Sequence, residues 1–99
     1  MASWATTLAS ELGKDGITVN NVLPGYTRTQ RLDQIVRERA LTSQISQAEV
    51  EAAMLSTVPA ARFAEAAEIA HAVAFLCSPD SGYINGINLP VDGGRTKSL

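Results

Sequence analysis

The sequence predicts an α/β fold in the order helix, strand, helical excursion, helix, strand, and three observations predict it. Ile17–Leu23 is a short β-branched run stopped by Pro24-Gly25. Tyr83–Val91 is a second β-branched stretch. The segments before and between them place apolar residues three and four apart. Short runs closed by breakers read as strands, and the three-and-four spacing reads as helix. The 99 residues are expected to form one α/β unit, residues 1–99, with a helical subregion at 30–58.

Each element has a local cause. Between Ser3 and Leu12, Trp4, Leu8 and Leu12 recur every four residues with Ala5 and Ala9 beside them. That is one apolar helical face, on which Trp4 is expected to serve a core or an interface. Gly13 follows the last apolar residue, where a left-handed cap favours a residue without Cβ, and Lys14-Asp15-Gly16 turns into the strand. Along Ile17–Leu23 neither alternate set is wholly polar, which fits a strand covered on both faces. Gln30–Thr57 is charged, rich in Ala and Gln and free of Gly and Pro, so two short helices are expected. Leu32, Ile35, Val36 and Leu41 form the apolar side of the first. Ser46-Gln-Ala-Glu49 is a capping box that opens the second, whose inner stripe is Val50, Ala53 and Met54. Glu65–Cys77 carries acids in its first turn and Ile69, Val73 and Leu76 on one stripe, and Ser78-Pro79 stops it. Pro90 cannot donate to a ladder, so the last strand is expected to be an edge or irregular there. Asp92-Gly93-Gly94 signals a turn.

Composition excludes several classes of partner. The formal net charge is −2, and Arg28, Arg31, Arg37 and Arg39 are interleaved with Asp33 and Glu38, so no basic patch argues for nucleic acid. One cysteine, Cys77, and one histidine, His71, cannot make an internal disulfide or a structural zinc set. No metal site is expected, and a reducing, cytoplasmic setting fits. No apolar run approaches the roughly 18 residues that span a bilayer, and no basic leader precedes an apolar stretch, so no membrane partner is expected. His71 lies about 200° around its helix from Ile69, off the apolar stripe, as a solvated or subunit-contact residue would. Ser78, Ser81, His71 and Asp80 are close in sequence. A hydrolytic site needs nucleophile, base and oxyanion donors to meet in space, and the sequence gives no sign of that.

The stretch that points to chemistry is Ile17–Thr29. Gly25 lets a ligand or another backbone approach closely, and Pro24 fixes the exit direction of the chain. In α/β proteins such a loop, at the carboxyl end of a strand, is where ligands sit. Asn20 and Asn21 need hydrogen-bond partners within the strand. They are expected to tie neighbouring loops together, with support of a ligand loop as the alternative.

Pro24-Gly25 with Thr29, then Arg62-Phe63, Glu68-Ile69-Ala70, Tyr83-Ile84 with Gly86, and Val91-Asp92-Gly93-Gly94 occur in that order. Together they resemble the C-terminal part of a short-chain dehydrogenase/reductase, closest to the branch that contains the 3-oxoacyl-acyl-carrier-protein reductases. The resemblance runs from Ser3 to Gly94. It implies the last part of a Rossmann-like doubly wound fold, with the two strands side by side at one edge of the sheet. It also implies NAD or NADP as cofactor, with Pro24 and Gly25 against the nicotinamide and Thr27 and Thr29 helping to hold the carboxamide and pyrophosphate. Residues 30–58 become a lid over the substrate, and the helix like Glu65–Leu76 with the last strand becomes a subunit contact. Asn85 stands where the family often has threonine. The family's Gly-x-x-x-Gly-x-Gly turn and Tyr-x-x-x-Lys pair do not occur in these 99 residues, since Tyr26 is followed four residues later by Gln30 and Tyr83 by Ile87. No catalytic residue of the family's type is therefore found here. The implied function is a segment of an NAD(P)-dependent enzyme acting on a carbonyl or secondary alcohol. That segment is not competent alone, and its partners are a second copy of itself or the family's N-terminal half. The alternative is a non-enzymatic structural or interaction module formed by self-association.

Overall fold

The computed structural model describes residues 2–97, with side chains from Trp4 onward. Met1, Ser98 and Leu99, the ends of the expected unit, lie outside the described residues. The order is α1 (Ala2–Leu12), β1 (Asn21–Pro24), α2 (Gln30–Ser43), α3 (Gln47–Leu55), α4 (Ala66–Leu76) and β2 (Asn88–Val91). β1 and β2 pair in parallel, with Asn21 opposite Asn88, Val22 opposite Leu89, Leu23 opposite Pro90 and Pro24 opposite Val91. The chain measures 55 × 24 × 22 Å with a radius of gyration of 16.9 Å. A compact domain of this length would have about 13 Å. The molecule is therefore elongated, and much of its apolar surface has no layer over it.

Both strands are shorter than their sequence patterns, because at their amino ends amide side chains interleave with the few backbone bonds, such as Gly86 N–H to the Val19 carbonyl (2.9 Å). Val19 N–H donates to Asn85 Oδ1 (2.9 Å), Asn20 Nδ2 to the Ile84 carbonyl (3.2 Å) and Ile87 N–H to Asn20 Oδ1 (3.1 Å). Ladder pairing starts only at Asn21, whose Nδ2 donates to Asn88 Oδ1 (2.9 Å) across the sheet. Asn20 and Asn21 thus tie neighbouring segments together. Asn85, which the sequence marked only as a departure from threonine, is the centre of this network. It also donates to the Ala9 carbonyl of α1 (2.9 Å).

The face of α1 differs from the expected one. Ala5 and Ala9 are buried, whereas Trp4 is 57% exposed, so Trp4 is not a core residue. Small side chains let the 85–86 turn approach: a Cβ on Gly86 would lie 3.4 Å from Ala9 Cβ. The left-handed residue after α1 is Gly16 (φ +76°), not Gly13, because a 3-10 turn at Gly13–Asp15 extends the helix first.

α2 and α3 form a hairpin with its own core of Leu32, Val36, Ala40, Val50, Met54 and Phe63. Leu41 is 81% exposed, and Ala40, four residues beyond Val36, takes its place inside. Ala53 is exposed as well, so the inner stripe of α3 is Val50 and Met54. The capping box holds: Glu49 N–H donates to Ser46 Oγ (3.1 Å) and Ser46 N–H to Glu49 Oε1 (3.5 Å). In α4 no residue is buried, and Val73 and Phe75 are 43% and 49% exposed. Beyond it Ser81 is buried, its Oγ 2.8 Å from the Leu76 carbonyl and 3.0 Å from that of Ser78, while Ser78 Oγ donates to Phe75 (2.7 Å). Both hydroxyls donate to carbonyls at the end of α4.

Candidate functional site

Loop 24–29 leaves the carboxyl end of β1 and becomes α2, and four of its residues are the sequence-predicted site. Pro24 is exposed at the end of the strand. Gly25 donates its N–H to the Val91 carbonyl (2.9 Å), and a Cβ placed on it would stand 2.7 Å from both Cα and Cβ of Asp92. The missing side chain therefore admits the backbone of the neighbouring strand end. Thr27 Oγ1 donates to the Gly25 carbonyl (3.0 Å), which tightens the turn. Thr29 is the N-cap of α2, with extended backbone and its Oγ1 accepting the Leu32 N–H (3.2 Å). Its hydroxyl serves the helix first, a role not among those expected for it from the sequence.

The side of the loop away from β2 rests on a second segment. Arg28 N–H donates to the Ala64 carbonyl (2.8 Å) and Ala64 N–H to that of Tyr26 (2.9 Å), an isolated bridge in parallel sense. Tyr26 meets Phe63 edge to face, with centroids 6.2 Å apart and planes at 86°. Arg28 lies over the Phe63 ring at 4.6 Å and Arg95 over the Tyr26 ring at 4.7 Å. Aromatic rings attract a guanidinium through their quadrupole, so the cations continue the stack at both ends. Arg28 also reaches Asp33 (3.2 Å) and Glu51 (2.8 Å).

Two hollows flank Tyr26. One, of about 170 Å³, lies between the 58–64 segment and the Val91–Gly93 turn, with Arg62 and Glu68 on its wall. The other, of about 280 Å³, is the groove between α2 and α3, lined by Ile45, Val50 and Met54 with Arg39 and Thr57. Around the first, Arg62 forks onto Glu68 (2.7 and 2.9 Å), and Glu65 N–H adds a third bond to the same carboxyl (2.9 Å). The Arg62 guanidinium first, and that N–H second, hold Glu68 down at about 2. Asp92 is lowered too, chiefly by Thr96. Its Oδ2 accepts the Thr96 N–H (2.8 Å) and its Oδ1 the Gly94 N–H (3.0 Å). Both acids stay ionised because their partners are permanent dipoles or cations, so they hold turns rather than shuttle protons. Among the described residues no group of three His, Cys, Asp or Glu side chains could hold a metal. Among the same residues no helix is long and apolar enough to cross a membrane.

A parallel strand pair with a Pro-Gly loop at its carboxyl end, a helical excursion and a final Asp-Gly-Gly turn define the last part of a Rossmann-like doubly wound fold. The family described as enoyl-(acyl carrier protein) reductase matches residues 1–96, and the chain belongs to this family of short-chain dehydrogenase/reductases. It is 42% identical over 94 residues to the 3-oxoacyl-[acyl-carrier-protein] reductase FabG of Haemophilus influenzae, which covers 95% of this chain and 34% of that protein. Among solved structures, a short-chain dehydrogenase family protein from Francisella tularensis superposes with a TM-score of 0.91 at 34% identity, over 98% of this chain and 40% of the other. YwfH, an NADPH-dependent reductase involved in bacilysin biosynthesis, superposes at 0.88 and 32% identity, over 99% and 37%. The chain thus spans about a third to two fifths of the length of these relatives.

Proposed function

We propose that the chain supplies the nicotinamide-end loop and the lid of an NAD(P)-dependent reductase acting on a carbonyl or secondary alcohol, and that it does not turn over substrate alone. The observation that carries this reading is loop 24–29, which joins the carboxyl end of a parallel strand directly to the N-terminus of a fourteen-residue helix. Ligands of open α/β sheets sit at that end of the strands, and helix N-termini favour anions such as a pyrophosphate. Pro24 stands exposed there, and Thr27 and Thr29 carry hydroxyls on the same loop. NADPH is the first cofactor to test, because YwfH is described as NADPH-dependent.

The test is calorimetric titration of the chain with NADPH and NADH, with nicotinamide fluorescence followed alongside. Saturable binding near or below about 100 μM supports the reading, and no binding at millimolar cofactor sinks it. Thr27→Val removes one hydroxyl at nearly constant volume, and because that hydroxyl also donates to the Gly25 carbonyl, its affinity is read beside its melting temperature. Gly25→Val strikes Asp92 and disturbs the sheet whether or not a cofactor binds there.

The exposed apolar residues favour a second, compatible reading, in which the chain associates with itself or with the family's N-terminal half. Val73, Phe75 and Tyr83 are 43%, 49% and 103% exposed, and the molecule is far longer than it is thick. Unpaired strand edges and uncovered apolar faces invite a partner. Light scattering on the eluting peak decides this. A compact 10.5 kDa monomer overturns self-association.

A further inference from the structure

Arg28 stands between Thr27 and Thr29, and its side chain leaves the loop altogether. The guanidinium bonds Asp33 in the first turn of α2 at 3.2 Å and Glu51 on α3 at 2.8 Å, and it covers Phe63 at 4.6 Å. Its own N–H holds the Ala64 carbonyl at 2.8 Å. One residue thus touches α2, α3 and the 63–64 segment. A planar fork with several donors can serve two carboxylates at once, which an ammonium does less well. We propose that Arg28 is a positioning residue, a strap that couples loop 24–29 to α3 so that a ligand on the loop is registered as protection of that helix.

The apolar core explains why the strap sets position rather than integrity. Leu32, Val36, Val50 and Met54 hold α2 against α3 without it. The three charged side chains are 42%, 46% and 30% exposed, so salt screens them while leaving that core intact. The strap is a fastening that opens at modest cost, as a lid requires. The part of the proposal that concerns a ligand rests on the cofactor reading above, and the fastening itself does not.

Hydrogen exchange of the full chain, read at the amides of residues 47–55, tests it. Without ligand and at low salt, Glu51→Gln and Arg28→Gln are each expected to speed exchange about threefold to fivefold, and the double variant no further. Wild type in about 0.5 M salt should approach the single variants, a comparison that needs no substitution. Unchanged exchange in both variants, or fully additive effects, overturns the strap. With NADPH, wild type is expected to gain protection in α3, whereas Glu51→Gln binds NADPH and gains none. Equal protection in the two overturns the coupling. Failure of NADPH to bind at all overturns the cofactor reading, and the ligand-free comparison still decides the strap.

Discussion

The helical excursion and the sheet region of this chain are stabilised by different physics. In α2, α3 and Phe63, six side chains bury themselves in one cluster, with Tyr26 and Leu55 packed against it. In the sheet region no residue of α4 is fully buried, α1 contributes two alanines, and amide side chains of Asn20, Asn21 and Asn85 supplement a short ladder. A helical hairpin can close a core on itself, because each helix presents one stripe to the other. A strand presents two faces, and a two-stranded sheet leaves too few residues to cover both. The excursion therefore looks like a finished unit, and the sheet region like one layer of something larger.

Truncation of Phe63 should break this comparison most visibly if it is wrong. Phe63→Ala removes a buried ring that joins the excursion to Tyr26 and Arg28, and it is expected to cost about 3–5 kcal/mol. Phe75→Ala on the exposed face of α4 should cost about 0.5 kcal/mol or less. Urea unfolding followed by circular dichroism measures both, and equal costs would show that α4 is covered in solution. Next in size is Asn85→Ala, which leaves the Val19 N–H and the Ala9 carbonyl without their partner. Its expected cost is about 1–3 kcal/mol in the same assay, with faster hydrogen exchange confined to α1 and residues 17–20. Exchange that rises in α2 and α3 instead would mean that the two regions are not separable.

Most of the element order was legible in the sequence, because periodicity and breakers are local. Ser46 to Glu49 announced its helix, Pro24 ended its strand and Ser78-Pro79 closed α4, each through contacts made within a few residues. What escaped depends on pairs far apart in the chain. Trp4 and Leu41 belong to helices that the periodicity located, yet both point to solvent, since a stripe is buried only where another element meets it. The strands were read too long because Asn20 and Asn85, 65 positions apart in numbering, interrupt the regular ladder with side-chain bonds. At the candidate site the loop itself was readable, but Arg28 was not, because Glu51 and Phe63 come to it through the hairpin. The glycine at position 25 was legible as a close approach, and only the structure shows that the approaching group is Asp92.

Smaller effects sharpen the comparison at the boundary between the two regions. Thr29 sits there as the cap of α2, so Thr29→Ala is expected to lose about 1 kcal/mol of stability while Thr29→Ser keeps most of it. That pair separates capping from cofactor binding. A hydroxyl needed only by the helix gives equal NADPH affinity in wild type and the alanine variant at a temperature where both are folded, together with a lower melting temperature in the alanine variant.

The smallest expected effect concerns Glu68, which anchors the start of α4 through Arg62 and the Glu65 N–H. Its carboxyl is held at about 2 against an ordinary 4.5. A depressed carboxylate binds protons more weakly in the folded state than in the unfolded one, so its contribution is present above about 4.5 and disappears as pH falls through about 2. Wild type should therefore melt above Glu68→Gln at neutral pH, with the gap closing between those two values. The fork is solvent-exposed, so the gap should also shrink in high salt. A gap that persists unchanged at the acid end would mean that Glu68 acts through its shape at the helix start rather than through its charge, and α4 would then owe its position to packing that the sheet region does not otherwise provide.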